Sequence, residues 1–246
     1  MSLATFNCLA VLENPRVPDD SKRKTFIVDA QIYLNGSLPA LVACLKWYNA
    51  EDFVFPDVPG TYSLWIQAAN MMDAVVHYST SLETKDYQFA GDILDLIYLG
   101  PPEDVSPFHR AIAHICGPVS KPNEHDGTFE IKAEQYISAL KVPGTIQFKV
   151  VIPNIPRYSK RKPVPAANSR ALITGRITDV ECVLDAEEKP LSVKHFVLEM
   201  DSVVFLGSGK GAGPVETPVM KPVFKTEGGT PSRLKFNFTK QLQTLM

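Results

Sequence analysis

The chain repeats itself, and a repeat of this length restricts the fold more than any other feature of its 246 residues. Thr25-Phe26-Ile27-Val28-Asp29-Ala30-Gln31-Ile32-Tyr33 lines up with Thr128-Phe129-Glu130-Ile131-Lys132-Ala133-Glu134-Gln135-Tyr136, with Thr, Phe, Ala and Tyr at the same offsets. Phe89 through Gly100 matches Phe196 through Gly207 without a gap, so that Leu96-Ile97-Tyr98-Leu99-Gly100 faces Val203-Val204-Phe205-Leu206-Gly207. Cys8-Leu9-Ala10-Val11 stands before the first copy much as Cys116-Gly117-Pro118-Val119 stands before the second. The period of about 105 residues is too long for a solenoid unit and right for a duplicated small domain.

Each copy reads as five strands. The first places them at 5–12, 25–34, 40–48, 61–71 and 87–99, the second at 112–119, 128–137, 145–153, 170–184 and 194–206. In Thr145-Ile146-Gln147-Phe148-Lys149-Val150-Val151-Ile152, the apolar Ile146, Phe148, Val150 and Ile152 share one face, with Gln147 and Lys149 on the other. That period of two is the mark of a strand with one buried side. In the first copy Ala43, Leu45 and Trp47 take the inward positions, with Lys46 and Tyr48 outward. The best helical candidate is the short stretch 107–113. The 20 prolines also favour strands and turns over helices. Pro101-Pro102-Glu103-Asp104 and Ser106-Pro107 mark the boundary between copies. The expected organisation is a first barrel over 1–104, a second over 105–207, and a Gly/Pro-rich flexible tail over 208–246 that regains apolar character from Arg233.

Ala171-Leu172-Ile173-Thr174-Gly175-Arg176-Ile177-Thr178-Asp179-Val180, a polar hairpin at Asp185-Ala186-Glu187-Glu188-Lys189, and His195 through Gly207 carry a more specific resemblance. This stretch is similar to the last two strands of the bacterial single-stranded-DNA-binding protein family and of the replication protein A domains. In those families a Gly-Arg strand enters a mobile hairpin, and the final strand ends in an apolar-Leu-Gly step. The first copy keeps Tyr98-Leu99-Gly100 but carries Leu64-Trp65-Ile66-Gln67 where the Gly-Arg would stand. The resemblance implies an all-β chain of two tandem five-stranded OB-type barrels, non-catalytic, with single-stranded DNA or RNA as partner. Fold alone does not fix function.

Single-strand binding needs flat rings for bases and cations for phosphates. The outward candidates are Tyr33 and Tyr136 at matching ends of the second strands, Lys46 and Tyr48 on the third strand, Lys149 as the counterpart of Lys46, and Trp65 between Leu64 and Ile66. The sharpest basic cluster is Pro156-Arg157-Tyr158-Ser159-Lys160-Arg161-Lys162-Pro163, with Tyr158 placed to stack; Arg170 and Arg176 extend it. Lys22-Arg23-Lys24 is blunted by Asp19 and Asp20. These features make the second copy the stronger binder. The net charge of −2 argues against a broad duplex-binding surface. It leaves open a second reading, a protein-interaction scaffold, with residues 233–246 docking a partner or another subunit.

Other chemistries lack their residues. Gly207-Ser208-Gly209-Lys210-Gly211 is not a phosphate loop, since Gly211 stands where Ser or Thr is needed and Pro214 obstructs the helix. The histidines at 77, 109, 114, 125 and 195 and the cysteines at 8, 44, 116 and 182 show no metal-ligand spacing. No cofactor or metal is expected, and the cysteines read as free, mostly buried thiols. No stretch approaches the roughly 20 apolar residues of a membrane helix. An intracellular protein, nuclear or cytoplasmic, is expected.

Overall fold

The structure, a computed structural model, describes residues 2–18, 23–34, 40–71, 82–184 and 190–208. Ten strands run in order: β1 (Leu3–Arg16), β2 (Thr25–Ile32), β3 (Leu41–Tyr48), β4 (Gly60–Asn70), β5 (Phe89–Gly100), β6 (Ile112–Asn123), β7 (Thr128–Ile137), β8 (Val142–Val151), β9 (Ser169–Leu184) and β10 (Pro190–Ser208). The stretch 107–113 forms no helix: its chain is extended and enters β6 at Ile112. Pro107 disfavours a helical residue before it, and Ala111 and Ala113 are wanted in the core. Among the described residues the helical pieces are two 3-10 turns, Thr84–Asp86 and Pro156–Tyr158. The Asp185–Lys189 hairpin, the basic triplet's Lys22, and the tail from 209 with its apolar 233–246 lie outside the described residues.

β1, β2, β3, β5 and β4 close into one barrel, because β1 pairs with both β2 and β4. β6, β7, β8, β10 and β9 close in the same order. In each barrel one pairing is parallel: Ala43 to Trp47 on β3 beside Phe89 to Ile93 on β5, and Phe148 to Val151 on β8 beside Phe196 to Glu199 on β10. This is the OB arrangement, written twice.

The barrels join through antiparallel β1 and β6, with Thr5 opposite His114 and Phe6 opposite Ala113. In the alignment of Cys8 with Cys116, Phe6 corresponds to His114 and Thr5 to Ala113. Exchanging the copies therefore maps one pair onto the other, and the junction has a local pseudo-two-fold. It makes a continuous sheet in the order β5-β4-β1-β6-β9-β10. Beneath it, Phe6 meets Phe89, Phe148 and Phe196 at ring separations of 5.4, 6.0 and 5.9 Å, so one apolar core serves both barrels. The β7–β8 hairpin completes the junction by packing Ile137, Ala139 and Leu140 on Ala69 and Ala90. The buried Gln135 amide donates to the Ala4 and Ala68 carbonyls, both at 2.8 Å, which satisfies polar groups that the junction removes from water.

Candidate nucleic-acid interface

The two copies part company at the connection between their third and fourth strands. In the first barrel this is 49–59, with Glu51, Asp52 and Asp57 and no cation. Asn49 clamps it, accepting from Phe53 N and donating to Phe53 O, both at 2.7 Å. The clamp folds Phe53 and Phe55 onto Trp47, at 5.9 and 5.5 Å between rings, and onto Tyr62. Aromatic packing thus fills this mouth; Glu51 and Asp57 leave it acidic, while Asp52 pairs with Lys24 at 3.0 Å.

In the second barrel the same connection, 152–168, carries Arg157, Lys160, Arg161 and Lys162 and no acid. It bounds a cleft of about 640 Å³ lined by Tyr158, Lys160, Arg161, Lys162, His125 and Phe205, with Glu124 the acid on its wall. The loop is held at both ends. Tyr158, expected as a stacking ring, is buried at 7% exposure and directs its hydroxyl toward the Asp201 carbonyl at 3.5 Å. It packs against the core as an anchor, because the 3-10 turn at Pro156 points it inward. Arg157 lies over its ring at 5.3 Å, a cation–π contact. Lys162 donates to the Asp126 carbonyl at 3.0 Å. Its stem needs Gly127, which has φ +69°; a Cβ there would lie 2.3 Å from Lys162 Cδ. His125 hydrogen-bonds Asp126 at 2.8 Å and holds that carboxyl below its usual range. Lys160 and Arg161 are exposed, with no hydrogen bond or ion pair among the described residues.

Phe205 is the ring that sequence reasoning missed. It sits on β10 opposite the buried Ala171 and is 55% exposed where the barrel opens into the cleft. The signal was present: Val203 to Leu206 are all apolar, and with a period of two they cannot all face the core. The repeat also pairs Phe205 with Tyr98, which in the first barrel packs on Tyr62 at 5.2 Å.

The remaining candidates are scattered. Tyr48, Trp65 and Tyr136 are exposed, at 64, 47 and 59%. Gln67, on the same face of β4 as Trp65, donates to the Tyr136 carbonyl at 3.3 Å, so these two rings flank the barrel junction. Trp65 faces Asp95 across the ladder, a poor neighbour for phosphate. Tyr33 is half-buried edge-on against Phe108 at 5.0 Å. Lys46 reaches the Ser138 carbonyl at 3.4 Å across the junction. Lys149 pairs with Glu181 at 2.7 Å, and that hydrogen bond is the first cause holding Glu181 below the usual carboxylate range. Arg176 pairs with Asp201 at 3.0 Å. Arg170 is half-buried at the start of β9. The outer face of β2–β3 is covered in part in the first barrel: Tyr87 packs on Ile27 and Cys44 and donates to Asp29 at 2.7 Å. Among the described residues no group of three His, Cys, Asp or Glu could hold a metal ion, and no helix is long and apolar enough to cross a membrane.

No family model matches the sequence, and no curated protein matches it. Among solved structures the chain is similar to a wild-type single-stranded DNA binding protein from Thermus aquaticus. The identity is 8% and the TM-score 0.43, over 86% of this chain and 97% of that one.

Proposed function

We propose that this protein binds single-stranded nucleic acid, DNA in the first instance, without catalysing a reaction, and that the second barrel carries the binding. The observation that supports this is the cleft of about 640 Å³ in which Lys160, Arg161 and Lys162 surround the exposed Phe205. Cations neutralise phosphate and release counterions, and a half-exposed ring offers a face to an unstacked base. A paired base hides its face in the helical stack, so a ring in a cleft favours single strands. The first barrel presents acids and a filled mouth at the matching place. The exposed rings at the junction, Trp65 from the first barrel and Tyr136 from the second, offer a path for a strand leaving the cleft. Tyr158 is buried, Lys149 and Arg176 are neutralised by Glu181 and Asp201, and Lys46 lies at the junction, so the cations offered to phosphate are Lys160 and Arg161, with Lys162 partly held by the Asp126 carbonyl.

The test is a fluorescence anisotropy titration of a labelled oligo(dT) at low salt, with a duplex of equal length as competitor. Saturable binding that the duplex competes for poorly is expected. No binding at tens of micromolar protein would end the reading.

A further inference from the structure

Closed barrels have no free edges, yet both of these barrels open at the same place. On β5 the pairing with β3 stops at Ile93, while the pairing with β4 continues to Gly100. On β10 the pairing with β8 stops at Glu199, while the pairing with β9 continues to Ser208. Residues 94–99 and 201–206 therefore have one side along which no described strand lies. Exposed large apolar side chains stand on both stretches: Leu94, Ile97, Tyr98 and Leu99 on one, Val204, Phe205 and Leu206 on the other. Each stretch runs into a glycine of positive φ, Gly100 at +140° and Gly207 at +82°; at the second the ladder with β9 shifts register and continues to Ser208. Soluble proteins usually blunt such edges with Lys, Pro or a covering element, because unpaired N–H and C=O groups with apolar side chains invite another strand. Neither stretch contains Lys or Pro.

We propose that, when no nucleic acid occupies the cleft, these two edges pair with each other between copies of this chain, the β5 edge of one molecule adding to the β10 edge of the next and covering Phe205. Charge selects this pairing over like with like. The β5 edge carries Asp95 and adjoins the mouth with Glu51 and Asp57, Asp52 there being paired with Lys24; the β10 edge carries Asp201, paired with Arg176, and adjoins the loop with Arg157, Lys160, Arg161 and Lys162. Two β5 edges would bring acid to acid, and two β10 edges cation to cation. β5 and β10 lie at opposite ends of the six-strand sheet, so a pair of molecules still has one unused edge of each kind. Such a head-to-tail contact does not close on itself and gives open chains.

The experiment is sedimentation velocity on the full chain without nucleic acid, so that its outcome is separate from that of the binding test. The wild type is expected to grow with concentration from the 27.2 kDa monomer to species beyond a dimer. The variant Ile97→Lys with Leu99→Lys, and the variant Val204→Glu with Leu206→Glu, each set like charge against the partner edge and are each expected to stay monomeric. Mixed in equal amounts they are expected to assemble again, since each supplies the edge the other lacks; that recovery also shows that both fold. A wild type that remains monomeric at hundreds of micromolar would overturn the proposal. So would dimers formed by either variant alone, or a mixture that stays monomeric.

Discussion

Lys160→Ala together with Arg161→Ala is the cleanest perturbation of the cleft. Arg157 and Lys162 help hold the loop, through the Tyr158 ring and the Asp126 carbonyl, so removing them would mix loop geometry with charge. Lys160 and Arg161 are exposed and make no hydrogen bond or ion pair among the described residues, so their removal subtracts charge and little else. If each neutralises one phosphate, the slope of log K against log salt falls by about 0.7 per contact on a single strand, or about 1.4 for the pair. Between about 50 and 200 mM salt the wild type should then lose about 7-fold more affinity than the variant. Anisotropy titrations of one oligonucleotide at four salt concentrations measure both slopes, and thermal unfolding checks that the fold is intact. Parallel slopes for the two proteins would remove this loop from the phosphate path.

Three further outcomes follow from the same geometry. Phe205→Ala should weaken binding by about 1–3 kcal/mol, the worth of one stacked base, with little change in melting temperature because the ring is half exposed; an unchanged Kd would show that no base uses it. Asp29→Ala should cost about 3 kcal/mol in urea unfolding, because this buried carboxylate accepts from Arg16 at 2.9 Å, Tyr87 at 2.7 Å and Asn14 at 3.0 Å, and its loss takes an ion-pair partner from a half-buried cation; a cost below about 1 kcal/mol would contradict that count. Burial pushes the Cys8 thiol from its ordinary 9.0 up to about 12, so the folded state holds a proton that the unfolded chain releases. Its stabilising contribution is complete below pH 9.0 and is lost as pH rises toward about 12, and Cys8→Ala should flatten that alkaline decline in chemical denaturation.

The strands were legible because burial imposes a period of two that needs no knowledge of partners. On β7 and β8 the pattern is clean: Phe129, Ile131, Ala133, Ile146, Phe148 and Val150 are all buried, with polar residues between them. The duplication supplied the rest, since two imperfect copies fix each other's strand positions. The site was less legible, because outward position is local information whereas freedom from a partner is not. Lys149 and Arg176 do face outward, but Glu181 and Asp201, distant in sequence, neutralise them. Tyr158 sits in a loop that reads as solvated, yet the chain turns it inward. Phe205 stands in a run of four apolar residues, Val203 to Leu206, which shows that some must leave the core but not which of them borders a cleft. The contrast between the acidic mouth at 49–59 and the basic one at 152–168 was written in the sequence, and the barrel topology makes the two loops equivalent.

The location of the bound strand is best read by photocrosslinking an oligonucleotide substituted with 5-bromodeoxyuridine and mapping the attached peptides by mass spectrometry. Attachment should centre on Phe205 and the 157–162 loop, with a secondary site at Tyr136 or Trp65. Attachment confined to the first barrel's mouth, among Trp47, Phe53 and Phe55, would contradict the assignment of binding to the second barrel.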